Sequence, residues 1–156
     1  MLNRIIRDNK KIFKNTKIIY RLHPQDKNLK VTKKLDHLEN VLIDQTVFSD
    51  KKKAYFKNDT NLIKKNFIPL VSNAKFLTGG VSSVLIESLI LNKSYLVIAF
   101  NNNIDEFFTP GRAYEKLDHY EGLEKVDNVN ISLNENQYEK MVIKMFKQKK
   151  KQIKYS

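Results

Sequence analysis

Between Thr78 and Lys93 the chain reads TGGVSSVLIESLILNK. Two glycines, Gly79 and Gly80, and two serines, Ser82 and Ser83, stand ahead of an apolar helical stretch. Glycines where a strand runs into a helix let a ligand come close to backbone N–H groups. The helix N-terminus adds unpaired donors and partial positive charge, which together favour phosphate. The serine hydroxyls would complete such a cradle. The spacing fits neither a Walker loop nor G-x-G-x-x-G. The plainer alternative is that Ser82 or Ser83 only caps the helix.

Glu87 stands in the middle of that helix, among Val84, Leu85, Ile86, Leu89 and Ile90. A buried, ionised carboxylate costs several kcal/mol unless it is paired or faces a cleft. It comes too late for a capping box, because the third position after Ser83 is Ile86. Lying four residues after Ser83, it shares that serine's helical face. Two roles stay open: an ion pair with one of the many lysines, or a cleft-facing carboxylate that accepts hydrogen bonds from ligand hydroxyls.

His23, in IIYRLHPQ, is expected at the end of a strand, with Pro24 stiffening the backbone beyond it. Its imidazole could donate to a phosphate oxygen or protonate a leaving phosphate; a structural or exposed histidine is the alternative. His37 and His119 have weaker cases. The three histidines match no metal-ligand spacing, and Asp105-Glu106 reads as a solvated loop pair, so no metal is expected.

The elements that must position these residues alternate between helix and strand. A weak first helix is expected over Leu2–Phe13, a strand over Lys17–Leu22, and helical spacing at Leu29, Leu35 and Leu38. A second strand follows at Val41–Asp44, then a loop-rich stretch from Gln45 to Asp59. Asp59 or Thr60 can cap a helix carrying Leu62, Ile63, Phe67, Leu70 and Val71, with a kink or break at Pro69. Lys75–Thr78 is expected as the third strand and Ser94–Phe100, a continuous apolar run, as a central parallel strand. A helix around Ala113–Gly122, a strand in NVNIS and an amphipathic helix with Tyr138, Met141, Val142, Met145 and Phe146 on one stripe complete the pattern. This order predicts an α/β fold: a single three-layer domain over residues 1–156 with a mainly parallel sheet of about five strands. Strand C-termini would share one edge, where open α/β sheets bind ligands.

Composition narrows the classes. The chain has 156 residues, 41% of them hydrophobic, and no cysteine. That is a folding composition without disulfides, thiolate metal sites or cysteine nucleophiles. MLNRIIRDNKK has no apolar h-region, and YLVIAF is far short of a membrane span, so a soluble chain is expected. The net charge of +12 is mostly lysine spread along the chain. Without clustered arginine and interleaved aromatics, it argues against nucleic acid and for an anionic ligand or an anionic membrane surface. The terminal KQKKKQIK could hold the chain near anionic lipid.

Together these stretches resemble the C-terminal, nucleotide-binding half of the double-Rossmann (GT-B) glycosyltransferases. LIKKNFIPLVSNAKFLTGGVSSVLIESLILNKSYLVI carries most of the likeness, which extends over Lys17 to Ser132. Pairing HP at His23-Pro24 with SS at Ser82-Ser83 is similar to bacterial sialyltransferases and capsule or surface-polysaccharide transferases. The helix is also similar to teichoic-acid glycerophosphotransferases and sugar-nucleotide 2-epimerases. Ser88 stands where the pattern usually has alanine, Asn92 where it has glycine, and Ser94 where it has proline. The resemblance implies a Rossmann-like, metal-independent domain in which Gly80, Ser82 and Ser83, with Gly79 beside them, hold the phosphates of a nucleotide-sugar donor. Glu87 would then bind ribose or sugar hydroxyls and His23 would face the leaving phosphate. It further implies a cytoplasmic protein at the inner face of the membrane, and no cofactor beyond the donor. An acceptor-binding N-terminal domain or subunit would supply the other half. Noncatalytic donor binding by a partner subunit or fragment stays open.

Overall fold

The computed structural model describes residues 1–21, 30–44, 63–101, 110–116 and 120–148. The chain divides into two compact units, Met1–Phe67 and Ile68–Ser156.

In the first unit, helix α1 (Leu2–Asp8) buries Ile5 and Ile6. It stops short of the expected Phe13 because Asn9 closes it: the Asn9 side chain donates to the Ile5 carbonyl at 3.0 Å. The Asn9 carbonyl then accepts from Ile12 and Phe13, and Asn15 takes a left-handed φ of 60°. These turns carry Phe13 to a buried position. Strands β1 (Ile18–Tyr20) and β2 (Val41–Ile43) pair in parallel, with Ile19 opposite Leu42. Helix α2 (Lys30–Leu35) lies between them in sequence, as a parallel pair requires of its crossover. Just beyond the two strand ends, the Arg21 guanidinium donates to Asp44 at 2.5 Å and lies 4.7 Å from the centre of the Phe67 ring. Phe67 closes a π-helical turn, Ile63–Phe67.

The second unit opens with helix α3 (Ile68–Asn73). The break expected at Pro69 is the change from π to α geometry just ahead of it. Pro69 itself sits in the first turn, where its missing N–H costs no helical bond. Strands β3 (Leu77–Gly79), β4 (Tyr95–Ile98) and β5 (Val129–Ser132) form a parallel sheet in that order. Gly79 is level with Val97, and Val97 with Ile131. Helix α4 (Ser83–Ile90) packs on one face, where Leu85 meets Tyr95, Val97 and Ala99. Helix α5 (Pro110–Lys116) overlaps the helix expected around Ala113–Gly122. A 3₁₀ turn at Leu123–Lys125 leads into β5.

Helix α6 (Glu135–Lys147) covers the other face and buries Tyr138, Val142 and Met145, the core of the expected stripe. Its start is fixed by Asn134, which accepts from the Gln137 N–H, while Gln137 Oε1 accepts from the Leu133 N–H. Tyr138 is hydrogen-bonded to Thr78, the neighbour of Leu96 across the sheet, and its ring meets Phe100 edge-on at 6.3 Å.

The protein is thus α/β with open parallel sheets in a Rossmann-like arrangement. The one sheet of about five strands expected from the sequence is not what forms among the described residues. Their strands divide into a two-stranded and a three-stranded sheet. No described helix is long and apolar enough to cross a membrane.

Candidate functional site

The β3–α4 turn lies at the C-terminal edge of the three-stranded sheet, where β3, β4 and β5 all end. Gly79, Gly80, Ser82 and Ser83 come together there along the turn from Gly79 to Ser83, with Val81 between the pairs. What fixes them is Tyr95, which the sequence alone offers only as the first residue of an apolar strand. Its buried ring brings the phenol under the turn, where the hydroxyl donates to the Gly80 carbonyl at 2.9 Å. Burial pushes the Tyr95 phenol up from its ordinary value, and the nearby Ser82 side chain opposes the rise.

The same contact explains the first glycine. A Cβ built on Gly79 would lie 2.9 Å from the Tyr95 hydroxyl, closer than such atoms approach. Gly79 is therefore required by space and not by backbone conformation. Gly79→Ala is expected to lower stability by about 1–3 kcal/mol through overpacking. Tyr95→Phe, which removes the obstructing oxygen, is expected to shrink that cost when both changes are combined. Chemical denaturation of the four proteins checks the coupling; an equal cost of Gly79→Ala in both backgrounds would refute it.

Ser82 occupies the N-cap position of α4 in extended backbone geometry, yet its side chain makes no capping bond. The plain capping role weighed for the two serines is therefore not filled by Ser82. Pinning the Gly80 carbonyl on Tyr95 also orients the next peptide. In a trans peptide the N–H of Val81 points opposite that carbonyl, away from the phenol. Pro110, at the start of α5, packs 3.7 Å from where a Gly80 Cβ would be. The Gly111 N–H one residue on is bound by Asn101 Oδ1 at 3.1 Å.

Glu87 lies one turn along α4. The buried centre of this helix is Leu85 and Ser88. Ser83, Ile86 and Ile90 face outward, the isoleucines 61% and 77% exposed. Glu87 is half-buried at the margin of that outer face, so the expectation of a glutamate enclosed by apolar neighbours is corrected. A helix with this many aliphatic residues is not buried on every side here. The buried polar side chain is Ser88, whose hydroxyl donates to the Leu85 carbonyl at 2.6 Å.

The departures noted at the end of this helix have a physical reading. Asn92 takes a left-handed φ of 51°. The Lys93 N–H donates to the Ser88 carbonyl at 2.8 Å and the Asn92 N–H to Leu89 at 2.9 Å, which is a Schellman closure. Asparagine tolerates that conformation where glycine is usual. The Asn128 side chain, from another left-handed position, donates to Asn92 Oδ1. Ser88 is enclosed completely.

His23, His119 and the Asp105-Glu106 pair lie outside the described residues, and His37 is exposed after α2. Among the described residues no three histidine, aspartate or glutamate side chains gather as a metal site would require. No family model, curated protein or solved structure matches the chain.

Proposed function

We propose that the second unit binds a nucleotide-activated sugar at the β3–α4 turn, as the donor-binding domain of a glycosyltransferase for surface-polysaccharide synthesis. The observation that carries this reading is the turn itself. Two glycines and two serines lead from a parallel strand into a helix N-terminus at the ligand-binding edge of the sheet, and a buried phenol holds their backbone in place. Backbone N–H groups from Gly80 to Ser83 and the outward Ser83 hydroxyl serve the phosphates. Glu87, on the Ser83 side of the helix, serves ribose or sugar hydroxyls. His23, in the first unit, keeps the leaving-phosphate role that the resemblance implies, donating a hydrogen bond or proton. An acceptor-binding N-terminal domain or subunit completes the enzyme at the cytoplasmic side of the membrane.

Titration calorimetry with nucleoside diphosphates and nucleotide sugars tests the reading. Ser83→Ala is expected to weaken phosphate-bearing ligands about tenfold, the worth of one hydrogen bond to a charged group. Glu87→Ala is expected to weaken nucleotide sugars while sparing inorganic pyrophosphate. A chain that binds no nucleotide, or binds it equally well without Ser83, would overturn the proposal. Donor hydrolysis by the isolated chain separates a transferase from a noncatalytic donor-binding subunit.

A further inference from the structure

The first unit combines charge with open aliphatic surface. From Met1 to Lys17 the cations are Arg4, Arg7, Lys10, Lys11, Lys14 and Lys17, all exposed, and Asp8 is the one carboxylate. Asp8 is engaged by the Arg7 guanidinium at 3.2 Å. The ground beneath them is fixed, because Ile5, Ile6 and Phe13 are buried and the turns after Asn9 are closed by backbone bonds. Lys10, Lys11 and Lys14 are thereby held outward. Lys17, which also donates to the Glu39 carbonyl, leads into β1. Strand alternation puts it on the same face as Ile19. Ile19 is 49% exposed and Leu42, its partner across the strand pair, 52%.

Cations that follow one another along the chain, with half-open aliphatic side chains on the strand pair they lead into, suit a bilayer surface. Ammonium groups meet anionic headgroups, and aliphatic carbons enter the interfacial zone. Nucleic acid is met by arginine forks and by exposed rings on which bases stack. Here lysine takes over beyond Arg7, and the aromatic of that segment, Phe13, is buried. We propose that this surface, with Lys10, Lys11, Lys14, Lys17, Ile19 and Leu42, docks the protein peripherally on an anionic phospholipid bilayer. Because one weak signal gives only marginal attachment, charge and aliphatic contact act together. The proposal stands apart from the donor-site reading, which concerns the other unit.

Co-sedimentation of the full chain with phosphatidylcholine vesicles, with and without phosphatidylglycerol, tests it. Binding is expected to need phosphatidylglycerol and to weaken as salt is raised. K10E/K11E/K14E is expected to weaken it at least about tenfold, with K10Q/K11Q/K14Q in between. Ile19→Gln with Leu42→Gln is expected to weaken it about fivefold without altering the salt dependence. All five positions are exposed, so an unchanged melting temperature identifies intact variants. Equal binding to neutral and anionic vesicles, parental binding by the charge-reversed variant, or tighter binding to nucleic acid than to vesicles would overturn the proposal.

Discussion

Leu96→Ala is expected to remove about 2–5 kcal/mol of stability from the second unit. Leu96 lies in the middle strand of the sheet and is fully buried, with β3 on one side and β5 on the other. Its face of the sheet is the one that Thr78 shares and that Tyr138 reaches from α6. A central strand has little freedom to collapse onto a deleted side chain, because hydrogen bonds on both edges hold its backbone. The cavity term therefore adds to the lost transfer energy. Ile90→Ala removes a similar aliphatic side chain from a position 77% exposed, and its effect is expected within about 0.5 kcal/mol. Denaturant unfolding of the two variants checks the contrast. Equal losses would mean that the two faces of the unit are not buried as described.

Arg21→Ala is expected to cost the first unit about 3 kcal/mol. Asp44 is nearly enclosed, with 7% of its side chain exposed, whereas Arg21 keeps 31% open to water. Breaking a buried pair from one side costs about 3–5 kcal/mol, mostly from the stranded partner. Here the group that loses its arginine is the enclosed carboxylate, which sets the scale; the further interaction Asp44 keeps and the solvent exposure of Arg21 hold the cost near the lower end. Stacking over Phe67 is lost as well. Arg21→Lys retains charge but loses the planar fork and the ring contact, so it recovers only part of the loss. Urea unfolding gives the ranking: parent above Lys above Ala. An alanine variant as stable as the parent would show that the pair contributes nothing.

The elements most legible in the sequence are those whose burial is one-sided or complete. SYLVIAF reads as a central strand because parallel sheets bury both faces, and β4 is that strand. The Tyr138, Val142 and Met145 stripe reads as an amphipathic helix because its other side is charged. Helix α4 misleads for the opposite reason. Its outward Ile86 and Ile90 look like core residues, and they made Glu87 look enclosed. The shortened α1 escapes a periodicity argument, since an asparagine side chain bonding to a carbonyl four residues back ends it. Of the site, the glycine and serine turn is visible in the sequence as a strand-to-helix junction. Tyr95 is not, because a tyrosine opening an apolar run is ordinary strand composition. The signal that could have found it is chemical: a phenol buried in a central strand must find a polar partner, and the nearest backbone turn supplies one.

Strand order in the second unit bears on how the chain assembles as it is made. β4 is laid beside β3 and β5 beside β4, so each pairs with the strand synthesised just before it. The layer over the Thr78 and Leu96 face is different. It arrives with Tyr138, sixty residues after the threonine it bonds. A nascent chain ending before Glu135 would carry all three strands and α4 but lack the helix whose Tyr138, Val142 and Met145 are buried in the finished unit. Until α6 emerges, the Thr78 and Leu96 face is more exposed to aggregation than in the complete fold.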